Sequence, residues 1–195
     1  MLFFGNLLQI NMKLMNKKYT VILALAFVAI TIIMRLIDHP WNFSPMGALF
    51  LFSGFALPRK WMLLPLVALA FTDAIIGTYQ WQVMMTVYGT YAVMLFSARA
   101  VRRINMTSVL GMSVASAVLF FITTNFAHWM WFGGYAHNLS GLVQAYVAAI
   151  PFFRNSLMGY VFYSALFFAI REIVIISTNA VKVIKGMVIY PNCRT

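Results

Sequence analysis

Apolar residues occupy this chain in long stretches, and short clusters of Lys, Arg, Pro and polar side chains interrupt them. Hydropathy and these breakers together predict six membrane-crossing helices, at 19–37, 43–57, 61–77, 83–98, 107–126 and 154–176. Ser44 and Pro45 stand at the favoured cap and first-turn positions of the second, and Pro58 stops it. A further helix-like piece at 141–150 is too short to cross a hydrocarbon core, which takes about 20 residues. Pro151 separates it from the last span, so a short re-entrant or interfacial helix is expected there.

The predicted fold class is therefore all-α: a polytopic membrane protein whose six transmembrane helices form one domain over 19–176. An N-terminal extension at 1–18 precedes it, and a basic tail at 177–195 follows as an inner-surface anchor. The first span resembles a signal peptide behind its basic patch but ends without a small-residue cleavage site, so it is read as retained. Met15, opening MNKKYT, is a second candidate start beside Met1.

Composition agrees with this reading. Hydrophobic residues make up 63% of the 195 positions and charged ones 9%, and the mean hydropathy is +0.87. Soluble domains carry about 25% charged residues, which excludes that class. Cys193 is the single cysteine, so neither a disulfide framework nor a cysteine metal site is expected.

The net charge of +11 does not point to nucleic acid, because the basic residues sit in short blocks between apolar runs. Six crossings place every Lys and Arg except Arg35 and Arg154 on one side, which the positive-inside rule makes cytoplasmic. Both termini then lie in the cytoplasm of a bacterial inner membrane protein. The opposite face receives Asp38, Asp73, the three histidines and most of the tryptophans.

On that face Asp73 and Arg154 are the sharpest pair, because ionised groups at membrane depth need a partner or water. An ion pair locking two helices is the alternative to a substrate role. Arg35 and Asp38 lie near the interface and read as anchors. The stretch FFITTNFAHWMWFGGYAHN brings Thr123, Thr124, Asn125, His128 and Trp129 to the end of the fifth span. Asp73, Asn125, His128, Trp129, Arg154 and Asn155 form the expected substrate-binding set. Trp131, Gly133, Gly134, Tyr135 and Trp81 form an expected lid or aromatic wall, hinged at Gly133-Gly134. Helix-to-helix hydrogen bonding and an interfacial aromatic belt are the structural alternatives for these residues.

Other chemistry is weakly signalled. His39, His128 and His137 lack the tight spacing of a metal site, and no cofactor is expected. No serine or cysteine motif accompanies a recognisable base, so the chain does not read as an enzyme. Small residues in the second, fourth and fifth spans, among them Gly47, Gly54, Gly89 and Gly111, allow close helix approach.

Five segments, FSPMGALFLFSGF, LPLVALAFTDAIIG, VYGTYAVML, FFITTNFAHW and AAIPFFRNSLMG, resemble a bacterial family of uncharacterised membrane transport proteins. That family is similar to the substrate-binding S components of energy-coupling-factor (ECF) vitamin transporters. The resemblance implies an S-component-like bundle that captures a small, vitamin-like nutrient at its outer face. It also implies association with a transmembrane coupling subunit and cytoplasmic ATPases, besides membrane lipid. The alternatives from other classes are a proton- or ion-coupled carrier using Asp73 and an intramembrane metalloenzyme.

Overall fold

The computed structural model describes residues 16–38, 40–101 and 104–189, with 179–189 described as backbone. Regular structure among them is entirely helical: α1 (Lys17–Leu36), α2 (Met46–Ala56), α3 (Leu64–Ile76), α4 (Trp81–Ala100), α5 (Met106–Trp131) and α6 (Leu139–Ile189). A 3-10 turn, Arg59–Trp61, links α2 to α3.

The architecture is organised around α2. Its sequence, MGALFLFSGFA, is apolar on every side, and a helix of that kind must be enclosed. Met46 to Phe55 are all buried, and each of the other five helices packs against this one. Aromatic rings supply most of the contact. Phe50 stacks on Tyr91 of α4 at 4.5 Å, while Phe52 meets the edges of Phe27 at 5.0 Å and Phe168 at 5.5 Å.

Contacts among the described link residues sort them to two ends. Lys17 and Lys18 at the start of α1 share a groove with Arg59 and Lys60 of the α2–α3 turn. Arg99, near the end of α4, donates from Nη1 to the Leu57 carbonyl at 3.0 Å. These cations mark a basic end. The α1–α2 link, the α3–α4 link and the α5–α6 link lie at the opposite, polar end.

Among the described residues three helices, Lys17–Leu36, Met106–Trp131 and Leu139–Thr178 within α6, are long and apolar enough to cross a membrane. The second and third expected spans differ from prediction, because α2 has 11 residues and α3 has 13. At about 1.5 Å per residue neither fills a hydrocarbon core of about 30 Å by itself. Proline-containing links account for the shortening, with Pro45 before α2, Pro58 after it and Pro65 in the first turn of α3.

The expected re-entrant helix is also corrected. Residues 141–150 and 154–176 form one continuous α6, with Pro151 inside it. Proline removes one N–H and so frees the carbonyl of Val147, but neighbouring packing tolerates such a loss within membrane helices. Along this segment Ala145 and Ala149 are buried, and Tyr146 Oη donates to the Ile122 carbonyl of α5 at 2.7 Å. The helix also passes the expected boundary at 177 and continues to Ile189.

Candidate functional site

The polar end holds an open cleft of about 820 Å³. The α1–α2 link contributes Asp38, Trp41, Asn42 and Ser44, and the α3–α4 link contributes Tyr79. Arg35, Met46, Leu69, Val87, Tyr91 and Phe120 reach it from five different helices. Because α2 is short, its first residue opens into this space.

Local sequence shapes the α1–α2 wall. Phe43 N–H donates to the Pro40 carbonyl at 2.9 Å, closing a tight turn in which Asn42 has φ 63°. Asparagine enters that left-handed region more readily than most residues. Ser44 Oγ accepts from Met46 N–H at 3.3 Å, so Pro45 becomes the cap residue and α2 begins one position later than expected. Asn155 Nδ2 donates to the Trp41 carbonyl at 3.0 Å and tethers the link to α6. Asn155 thus supports a wall of the cleft and is not among its lining residues.

Behind the lining lies a charged network. Arg35 Nη2 donates to Asp73 Oδ1 at 2.7 Å, and Tyr88 Oη donates to Asp73 Oδ2 at 2.9 Å. Asp73 is 3% exposed, a burial that an ionised carboxylate sustains only with partners of this kind. The expected partner, Arg154, is instead exposed on α6. Helix adjacency explains the correction: α1 packs on α3, and Arg35 and Asp73 each precede their helix end by a few residues. Tyr79, beside this network, has its phenol pushed above its ordinary value, first by desolvation and then by the Asp73 carboxylate.

The polar stretch at the end of α5 is hydrogen-bonded largely within its own helix. Thr123, Thr124 and Asn125 bond to their own helix: Thr124 Oγ1 donates to the Phe120 carbonyl at 2.6 Å and Asn125 Nδ2 to the Phe121 carbonyl at 2.7 Å. Thr123 also meets Thr90 Oγ1 of α4 at 2.8 Å. This back-bonding satisfies polar side chains where water is scarce. Asn125 lines a separate recess of about 100 Å³, which shares Asn42 and Phe120 with the main cleft.

His128 and Trp129 secure the following loop and do not line the cleft. His128 stacks on Phe132 at 4.4 Å and meets Tyr135 edge-on at 6.5 Å. Trp129 Nε1 donates to the Ala136 carbonyl at 3.0 Å. Asn138 Oδ1 then accepts from Gly141 N–H at 2.9 Å, which caps α6. Gly133 has φ 77°, and a Cβ at Gly141 would collide with the Ala136 backbone. Glycine at these points serves the turn. Trp131, Gly133, Gly134 and Tyr135 therefore build the α5–α6 connection and cover neither cavity, while Trp81 is 69% exposed at the start of α4.

The residues that sequence reasoning passed over are Arg35 as the partner of Asp73, the phenols of Tyr88 and Tyr91, and the Asn42–Ser44 segment. One signal was available in the sequence, since six crossings leave only Arg35 and Arg154 among the Lys and Arg on the side opposite the basic blocks. Among the described residues no group of three His, Cys, Asp or Glu converges as metal ligands, and His39 lies outside them.

The described residues are all-helical in regular structure, and three apolar helices of crossing length suggest a membrane protein, with a buried ion pair and an open cleft at one end. Residues 14–183 match the family of unknown function DUF6580, and the chain belongs to that family. No curated protein and no solved structure matches the sequence.

Proposed function

We propose that this protein captures a small organic nutrient in the cleft at its polar end and takes part in its uptake across a bacterial cytoplasmic membrane. In this reading all six helices cross in an S-component-like bundle, the basic end and both termini face the cytoplasm, and the cleft opens outward. The bundle supplies binding, and a transmembrane coupling subunit with cytoplasmic ATPases supplies the energy. The observation that carries the proposal is the cleft itself. Its volume, about 820 Å³, falls in the range of small-molecule sites, about 300–1,000 Å³, and apolar walls carry a few convergent polar groups.

The test is to purify the protein in mild detergent, denature it, and identify released compounds by mass spectrometry. One organic compound at near-stoichiometric yield is expected, lost in Trp41→Ala with Tyr79→Ala and retained in Arg154→Gln. Release of lipid alone from well-folded protein would remove tight capture from the cleft.

A second reading, coupling to a proton or cation gradient through Asp73, draws support from that carboxylate's burial directly behind Arg35. It is distinguished by uptake that needs no ATPase but collapses with the gradient.

A further inference from the structure

The basic end carries a second cavity, and the capture reading makes no use of it. A groove of about 580 Å³ lies between the first turns of α1 and the α2–α3 turn. Lys17, Lys18, Arg59 and Lys60 line it, together with Val21, Ile22, Pro58 and Trp61. We propose that this groove binds the phosphodiester headgroup of an anionic phospholipid, with an acyl chain laid along Ile22 and Trp61.

Four cations meet at one groove, and no Asp or Glu lines it. The chain has 3 acidic residues in all. Asp38 and Asp73 belong to the opposite end, and Glu172 Oε1 is bonded to Arg171 at 2.6 Å. A cluster of like charges on one groove raises its attraction for an anion. The four side chains are exposed, so their charge is available to a ligand.

Position is fixed by backbone contacts, not by chance crowding. Asn16 Oδ1 accepts from Lys18 N–H at 3.0 Å, which sets the first turn of α1. Trp61 N–H donates to the Pro58 carbonyl at 2.9 Å, closing the turn that carries Arg59 and Lys60. From α4, Arg99 holds the adjoining Leu57 carbonyl.

The other half of the groove selects a lipid over a soluble phosphate. Ile22 is 51% exposed, and Trp61 lies partly exposed under Lys60, whose Nζ is 5.7 Å from the ring centroid. Cations above an apolar strip, at the end of a membrane helix, match the charged head and apolar chain of an anionic phospholipid. Basic pockets between membrane helices bind such headgroups, and each Lys or Arg near an anionic surface contributes about 1 kcal/mol. The inference requires only that the bundle sits in a membrane, so it stands or falls separately from nutrient capture.

Native mass spectrometry of the detergent-purified full chain tests it, with added phosphatidylglycerol, phosphatidylcholine or glycerol phosphate. One phosphatidylglycerol should be retained per chain in clear preference to phosphatidylcholine. Arg59→Gln with Lys60→Gln should weaken its retention about fivefold for each charge removed, while Arg154→Gln leaves it unchanged. Equal retention of the two lipids by the wild-type protein overturns the proposal without reliance on any variant. Unchanged phosphatidylglycerol retention in the double variant overturns the location. Glycerol phosphate bound as tightly as the lipid overturns the lipid assignment and gives the groove to a soluble phosphate.

Discussion

Asp73 is the residue on which the polar end turns, because its carboxylate joins α1, α3 and α4 through Arg35 and Tyr88. Removing either charge leaves the other buried and unpaired. The Arg35 side chain is 20% exposed, so each loss falls below the full value for a buried pair. Arg35→Leu and Asp73→Leu should each lower stability by about 2–4 kcal/mol, and the double variant by clearly less than their sum. Arg154→Gln should shift stability by no more than about 0.5 kcal/mol. Thermal unfolding in detergent reads all four, and full additivity would dissolve the pair. The depth of Asp73 was legible in the sequence, because TDAIIG sits near the end of an apolar run. Its partner was not, because choosing between Arg35 and Arg154 requires knowing which helix is adjacent to α3. For Asn125 and its threonines the need for hydrogen bonds is visible in sequence, but the i−4 carbonyl that meets it is invisible until the helix is built.

At the scale of elements, α2 determines how closely the bundle closes. A Cβ added at Gly54 would collide with the backbone carbonyl of Leu95 on α4 and crowd Ala98, and backbone cannot step aside as a side chain does. Gly54→Ala should therefore destabilise by about 1–3 kcal/mol. Gly89 on α4 meets nothing within 4 Å, so Gly89→Ala should be neutral or gain about 1 kcal/mol from helix propensity. Comparing the two midpoints in one thermal series checks the contrast. A stripe of small residues was readable along both helices, but which glycine faces a neighbour depends on helix rotation. Helix positions were read to within about two residues in α1 and α4, whereas α5 runs past its expected end at 126 to Trp131. The reading failed at Pro151, where a local rule about proline met a segment held by Ala145, Tyr146 and Ala149 against α5.

For the whole molecule, the decisive quantity is where each link lies relative to the bilayer. An α2 of about 16 Å and an α3 of about 20 Å cannot bridge a core of about 30 Å unless links and water complete the path. In the proposed six-span topology the cleft would complete the path at the polar end, where Ser44 and Met46 line it, and the basic groove at the other. The other five helices enclose α2, so in a membrane its sides would meet protein and not hydrocarbon. This arrangement makes a specific topology testable. In a Cys193→Ser background, cysteines at Trp41, Tyr79 and Ala136 should react with a membrane-impermeant maleimide in intact cells. Cysteines at Lys60 and Asn105 should react only after the membrane is opened. The basic clusters favour that orientation, since Lys and Arg accumulate on the cytoplasmic side. Labelling of position 60 from outside would show that α2 and α3 do not complete two crossings, and labelling of position 79 only from inside would turn the cleft toward the cytoplasm. The first result removes the six-span topology, and the second removes uptake at the polar end, because a capture site must face its substrate before it can deliver it.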